Sequence, residues 1–500
     1  MTKKRPITED STGPNIASRV AWSSLYSVSA SLVTLILGFA RSVLLARLLL
    51  PEHFGVLSLA LFYVALAAQL RALGLDRALI HRQDADDTIL GTYFTLRMGT
   101  LFLSLVLLVA AIPLLSHFYP AMPLLGWVLL ALASVEVVKG LSTVQETLLS
   151  KDLAFRSLAL TDVVASVTMT IVALLLAWQG WGVWALVAEQ ASGILARCGM
   201  TWLVFRRWWP RPRWERATVR WFWDYGRPAW GATNLAFLSD RFDDFWIGTV
   251  LGKTALGYYS RAYEFARYPR RVVANPLVSV FVPVFARLQD DRLRLSQAFY
   301  RAAHIILRTG FLISGAFALV MPEFIHLVIG DKWLTMLLTF RLMLVYTLLD
   351  ALLMLGGNLL LVVGQPKALQ RTRLVQTLFF VPAVIGGSRL WGINGVALAA
   401  DGMLAVGSWV LYQQIRNVVD FSLFRLGFWP LVALAIAWGA GLWVEWNWQP
   451  TNLWLLALGK LILFAGLYLG LLMAAERGDC VRGLRWVWAS VRLGDQRAKR

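Results

Sequence analysis

Apolar residues run along this chain in long unbroken stretches, separated by short polar segments that carry most of the charge. A helix crosses a bilayer in about 20 predominantly apolar residues, and a window of that length separates fourteen such stretches. They lie near 21–46, 54–75, 91–115, 122–143, 157–178, 182–205, 228–251, 257–285, 302–324, 336–362, 374–388, 393–415, 427–445 and 452–474. The pattern predicts an all-α integral membrane protein with about fourteen transmembrane helices. The first stretch is too long for a cleaved signal peptide, and no small-residue cleavage site closes it. The shortest, 374–388, contains Pro382.

Composition narrows the function classes. Of 500 residues, 58% are hydrophobic and only 15% charged, against about a quarter charged in a soluble domain. No GxxxxGK[ST] phosphate loop occurs. His53, His81, His117, His304 and His326 are scattered without metal-ligand spacing, and Cys198 and Cys480 lie far apart. Neither a cofactor nor a metal site is predicted.

The net charge of +19 comes from loop asymmetry rather than from a nucleic-acid surface. Lys and Arg stay on the cytoplasmic side of a membrane. With both termini inside, the outward loops hold only Arg47, Lys253, Lys332 and Arg389, while the basic segments 206–227 and 475–500 face inward. The segment from Trp208 to Trp223 reads as an interfacial anchor on anionic lipid, and so does the tail around Arg482, Arg485, Trp486, Trp488 and Arg492.

A weak internal repeat divides the chain. Residues 49–60 (LLPEHFGVLSLA) line up with 251–262 (LGKTALGYYSRA), placing Gly55, Ser58 and Ala60 on Gly257, Ser260 and Ala262. Residues 178–183 (WQGWGV) match 391–396 (WGINGV) at Trp, Gly and Val. Both matches join outward loops six spans apart, which keeps orientation and predicts a pseudo-two-fold axis along the membrane normal. The expected organisation is a cytoplasmic N-terminus (1–20), an N-lobe (21–205), a hinge-like basic linker (206–227), a C-lobe (228–415), two further spans (427–474) and a basic tail (475–500).

Charge inside the hydrocarbon costs at least about 2.5–3.5 kcal/mol per ionised side chain, so such residues point to a cavity or a partner. Asp240, Asp243 and Asp244 share one face of span 7, and Arg267, Arg270 and Arg271 share one face of span 8 beside Glu264. Both sets fall roughly 12–21 Å below the outer end, where they either neutralise one another or serve a ligand or coupling ion. Arg41 has no acidic residue within its own span; Arg97, Arg308 and Arg341 are further intramembrane cations, and Asp162, Glu189, Asp350 and Asp401 are intramembrane acids. Guanidinium groups suit a diphosphate, which they grip through paired hydrogen bonds. Pro269, Pro276 and Pro283 predict a bent span 8.

The ordered set 46–55 (ARLLLPEHFG), 146–162 (ETLLSKDLAFRSLALTD), 182–187 (GVWALV), 242–269 (FDDFWIGTVLGKTALGYYSRAYEFARYP) and 285–291 (FARLQDD) resembles the bacterial oligosaccharide flippases, the polysaccharide-exporter branch of the multidrug/oligosaccharidyl-lipid/polysaccharide superfamily. The resemblance runs from about residue 17 to residue 415. It implies a transporter, not an enzyme, that moves an undecaprenyl-diphosphate-linked oligosaccharide from the cytoplasmic to the periplasmic leaflet of the inner membrane. The two lobes would rock between inward- and outward-open states. Membrane lipids and glycan polymerase or ligase machinery are the implied partners, and lipopolysaccharide, capsule or exopolysaccharide the implied product.

The Gly38-Phe-Ala-Arg41 stretch is similar to a cavity-facing arginine motif of the lipid II flippases, so Arg41, with Arg267, Arg270, Arg271 and Arg308, is expected to hold the diphosphate. Asp240 and Asp243 are expected to couple transport to an ion, and Asp244 and Glu264 to balance charge. Asp244 departs from the family pattern, which carries a basic or polar residue there. A drug or cation exporter on the same fold favours an acidic cavity with few cations. A membrane-bound glycan polymerase or ligase calls for a long outward loop that this chain lacks.

Overall fold

A computed structural model describes residues 14–82, 86–448 and 452–476. The expected surface helix of the C-terminal tail lies outside the described residues. Those residues form helices joined by short connections, with no β-strand among them. Eleven helices are long and apolar enough to cross a membrane, and the chain is a multi-pass membrane protein.

The chain divides into two compact units, Met1–Gly257 and Tyr258–Arg500. The first contains α1 (Pro14–Leu48), α2 (Pro51–Arg71), the short α3 (Leu75–His81), α4 (Asp87–Phe118), α5 (Leu125–Lys151), α6 (Phe155–Trp178), α7 (Val183–Gly199) and α8 (Arg216–Trp246). Within it α6 packs on α1 and α7, α5 lies against α2, α4 and α7, and α8 lies along α2. Helix starts are marked by ordinary chemistry. Asp86 caps α4 by accepting from the Thr88 and Ile89 amides at 3.1 and 2.8 Å, and Pro51 opens α2 where no amide is needed.

The second unit takes up most of α9 (Lys253–Ala266), then α10 (Asn275–Leu288), α11 (Arg292–Phe324), α12 (Leu337–Val362), α13 (Pro366–Ile415), α14 (Leu423–Asn447) and α15 (Leu453–Ala475). At the three prolines the structure shows a widened π-helical turn inside one helical stretch, Lys253–Leu288. α9 ends before Pro269, residues Arg270–Ala274 form a π-helical turn, and α10 resumes at Asn275. Arg270 and Arg271 lie in that widened turn.

Two sequence readings are corrected. Trp208 is not a headgroup anchor. It is buried with Tyr93, Leu148 and Phe222, and its indole N–H donates to Asp87 at 3.2 Å. Gln145 donates to the Trp208 carbonyl (2.7 Å) and accepts from the Arg207 amide (2.9 Å). Arg211 pairs with Asp87 at 3.0 Å, so the basic linker is strapped to α4 and α5. Trp209, Trp214 and Trp223 are exposed.

The second repeat match shifts by three residues. Gly182, which caps α7, has φ 54 and ψ −126, and Gly392, at the break inside α13, has φ 57 and ψ −133. This left-handed-side conformation is accessible to glycine and costly for other residues, and Gly182 shares it with Gly392, not with the Gly395 of the expected alignment.

Candidate functional site

The five arginines expected to hold the diphosphate all have acidic partners. Arg41 on α1 pairs with Glu189 on α7 through Nε at 2.8 Å, and its Nη1 donates to Thr170 Oγ1 at 3.1 Å on α6. It was unpaired only within its own span. Arg270 pairs with Asp350 on α12. Arg271 grips both carboxylate oxygens of Glu264, at 2.8 and 3.3 Å, while Arg267 stands 3.8 Å from the same carboxylate and lies over the Tyr263 ring.

Arg308 is set apart from these. It is buried and bonded to Glu476 beyond α15, with Nε donating at 2.7 Å, and Nη1 reaches the His304 and Leu426 carbonyls. Its donors are committed to holding α14 and α15 on α11. On α8, Arg241 pairs with Asp244 at 3.0 Å. Asp240 is exposed, and Asp243 accepts from the Asp244 amide at 2.9 Å.

The first unit also holds a cationic cavity that the sequence did not reveal. It measures about 580 Å³ and is bounded by the C-terminal end of α2, by α3, α4 and α5, and by α8. Arg71, Arg77, Arg97, Lys139 and Arg241 line it, with Asp76 the one lining carboxylate. Glu136, largely buried, accepts from both Arg71 and Lys139 at 2.6 Å. Asp76 pairs with Arg97 and accepts from the Tyr93 hydroxyl at 2.5 Å. Five cations against three carboxylates, Asp76, Glu136 and the Asp244 partner of Arg241, leave the cavity electropositive. Low-dielectric walls focus such a field on an anion.

Two close approaches build this cavity. The chain turns at Gly74, where φ is +69, and α3 packs against α5, α8 and α4. Gly226 of α8 meets that turn directly: a Cβ there would lie 1.8 Å from the Leu73 carbonyl oxygen. Beyond this contact α8 contributes Tyr225, Trp230 and Phe237 as an aromatic wall, and the Trp230 indole donates to the Leu70 carbonyl at 3.0 Å.

Taken singly, Arg71, Arg77 and Lys139 look like ordinary inner-end cations, and Arg241 like part of the span 7 cluster. The contact of Gly226 with the Leu73–Gly74 turn unites them across five intervening helices. Among the described residues no group of three His, Cys, Asp or Glu side chains is placed to hold a metal ion.

Relatives by sequence are named for polysaccharide synthesis, and solved structures of similar fold include a lipid II flippase and a multidrug transporter. The chain is 25% identical over 424 residues to "Lipopolysaccharide biosynthesis protein WzxC" of Escherichia coli (strain K12), covering 81% of this chain and 80% of that one. It is 27% identical over 320 residues to "Succinoglycan biosynthesis transport protein ExoT" of Rhizobium meliloti (strain 1021), covering 64% and 63%. Among solved structures, the lipid II flippase MurJ in an inward closed conformation superposes with a TM-score of 0.72 at 15% identity, over 91% of this chain and 99% of that one. An inward-facing MATE-family multidrug transporter of the MOP superfamily superposes with a TM-score of 0.60, also at 15% identity, over 79% and 98%. Both show the fold. The family model described as "Polysaccharide biosynthesis protein" matches residues 44–338, and the chain belongs to that family.

Proposed function

We propose that this protein is a flippase for an undecaprenyl-diphosphate-linked oligosaccharide, carrying it from the cytoplasmic to the periplasmic leaflet of the bacterial inner membrane by alternating access. The observation that carries the reading is the cavity of about 580 Å³ lined by Arg71, Arg77, Arg97, Lys139 and Arg241. It lies at the end of α2 that the charge rule assigns to the cytoplasm, where the substrate is loaded. Guanidinium groups bind diphosphate oxygens in pairs, and Trp230 and Phe237 offer aromatic surface to the sugar. The names of the relatives and of the MurJ structure agree with this substrate class.

Fourteen crossings with both termini inside follow if α7, α8 and each arm of α13 cross alongside the other ten apolar helices. Arg41, Arg267, Arg270 and Arg271 are assigned to later contacts with the diphosphate, since each would exchange a carboxylate partner for it. Arg308 is assigned a structural role. Ion coupling is assigned to Asp240 and Asp243, with Asp244 and Glu264 balancing the neighbouring arginines. The translocated glycan would pass to polymerase or ligase machinery. No step breaks a covalent bond, and an excess of cations is the wrong field for a cationic drug.

The test places the lipid-linked glycan in cells lacking the protein. The labelled undecaprenyl-linked pool is exposed in spheroplasts to a membrane-impermeant sugar-modifying enzyme. Glycan protected without the protein, exposed with it, and protected again with Arg77→Glu at normal expression supports the reading. Glycan exposed yet unpolymerised without the protein overturns it.

A further inference from the structure

Beside the cationic cavity, and still within the first unit, an apolar groove of about 460 Å³ runs between α2 and α4. Its walls are leucines and alanines, among them Leu66, Leu70, Leu103, Leu107 and Leu115. Arg71 and Thr100 line both the groove and the cavity, so the two spaces meet at that pair. From Thr100 to Leu115 the α4 wall rises roughly 22 Å at 1.5 Å per residue, which exceeds one apolar leaflet of about 15 Å.

The hydroxyls along this wall are already satisfied by their own helix. Thr100 donates to the Arg97 carbonyl at 3.1 Å and Ser104 to the Leu101 carbonyl at 2.8 Å. At the far end Tyr63 is hydrogen-bonded to Tyr119 at 2.8 Å, and Tyr119 to Thr249 at 2.7 Å. The surface is therefore hydrocarbon-like along its length and cationic at one mouth. That is the complement of an amphiphile with a multiply charged anionic head and a long apolar chain.

We propose that the α2–α4 groove holds the polyprenyl chain of the transported lipid while its diphosphate occupies the adjoining cavity. This inference rests on the flippase reading and adds to it. The tail is carried in a defined groove of one unit instead of being left in bulk lipid. Leu70, Leu103 and Leu107 are each at least half exposed, so the groove wall is open to an entering chain. The net charge selects the occupant: five cations against three carboxylates leave two positive charges, which a diphosphate matches and a phospholipid headgroup with one phosphate only half neutralises.

The test uses full-length protein in nanodiscs of phosphatidylethanolamine and phosphatidylglycerol. A benzophenone amino acid replaces Leu107, or, as a control, the exposed Ile462 on α15. Labelled undecaprenyl diphosphate is expected to cross-link at position 107 and not at 462, and excess unlabelled undecaprenyl diphosphate, but not added phosphatidylglycerol, is expected to compete. Equal competition by phosphatidylglycerol, or equal labelling at both positions, overturns the proposal.

A second measurement fills the groove with Ala67→Phe and Leu107→Phe. Binding of undecaprenyl diphosphate is expected to weaken about tenfold or more, that is by about 1.4 kcal/mol or more, while binding of inorganic diphosphate stays unchanged. Unchanged binding of both probes overturns the groove alone. Failure of the unaltered protein to bind inorganic diphosphate overturns the diphosphate reading of the cavity instead.

Discussion

Pro51 and Gly257 meet backbone to backbone: a Cβ on Gly257 would lie 1.8 Å from the Pro51 carbonyl oxygen. The contact is reciprocated, since a Cβ on Gly55 would lie 1.7 Å from the carbonyl oxygen of Lys253. Residues 51 and 55 thus touch 257 and 253 in crossed order. Glu52 and Lys253 add an ion pair at 2.9 Å across it.

Because the obstructing atoms are backbone, neither glycine tolerates a side chain without moving a helix start. Gly55→Ala and Gly257→Ala should each cost about 1–3 kcal/mol, the usual range for overpacking. Thermal unfolding of purified protein in detergent checks this. Gly99→Ala, whose Cβ would meet nothing within 4 Å, should leave the midpoint unchanged or slightly raised.

The cavity predicts a separation between transport and stability. Arg77 is exposed and lines the cavity, so Arg77→Ala should fold normally and lower glycan translocation severalfold, with Arg77→Glu more damaging because it reverses the charge. Arg77→Lys should retain more activity than Arg77→Ala. The spheroplast accessibility assay, normalised to protein amount, reads all three. Full activity in Arg77→Glu would remove the cavity from the mechanism.

Much of this molecule was legible in one dimension. The eleven apolar helices coincide with stretches found by hydropathy, because a bilayer imposes one length and one chemistry on every crossing. Charge pairing was not legible, because it joins distant helices. Arg41 looked unpaired until α7 brought Glu189 to it, and Asp350 looked isolated until the π-helical turn placed Arg270 beside it. The cavity was hidden for the same reason. Arg71 and Arg77 read singly as inner-end cations, Arg97 and Arg241 as charges within spans, and a contact between Gly226 and Leu73 gathers them. Trp208 misled because a Trp- and Arg-rich segment has the composition of an anchor, whether or not one indole turns into the core.

The pairing of Arg41 with Glu189 separates two roles by double substitution. Breaking a largely buried pair from one side leaves an uncompensated charge, at about 3–5 kcal/mol. Arg41→Leu alone and Glu189→Leu alone should therefore both lower the unfolding midpoint, while the double variant should recover most of the loss. Translocation discriminates further. If Arg41 also receives the diphosphate, the double variant stays stable but transports poorly; if the pair is only structural, transport returns with stability.

The last two helices are fastened to the second unit by buried charge. Lys460 on α15 is fully buried and donates to Glu323 on α11 at 2.5 Å and to Glu445 on α14 at 2.7 Å. Three helices thus converge on one ammonium, with Phe464 and Tyr468 packed along the same face of α15. Lys460→Met keeps the length of the side chain and removes the charge. It should cost about 3–5 kcal/mol, because two carboxylates are then left facing one another. Adding Glu323→Gln, which removes the more deeply buried of the two carboxylates, should restore a large part of that loss. Glu445→Gln should restore less, because its carboxylate is already partly exposed and water screens it. Thermal unfolding of the three variants gives the order directly, and equal rescue by both glutamines would show that Lys460 is held by shape rather than by charge.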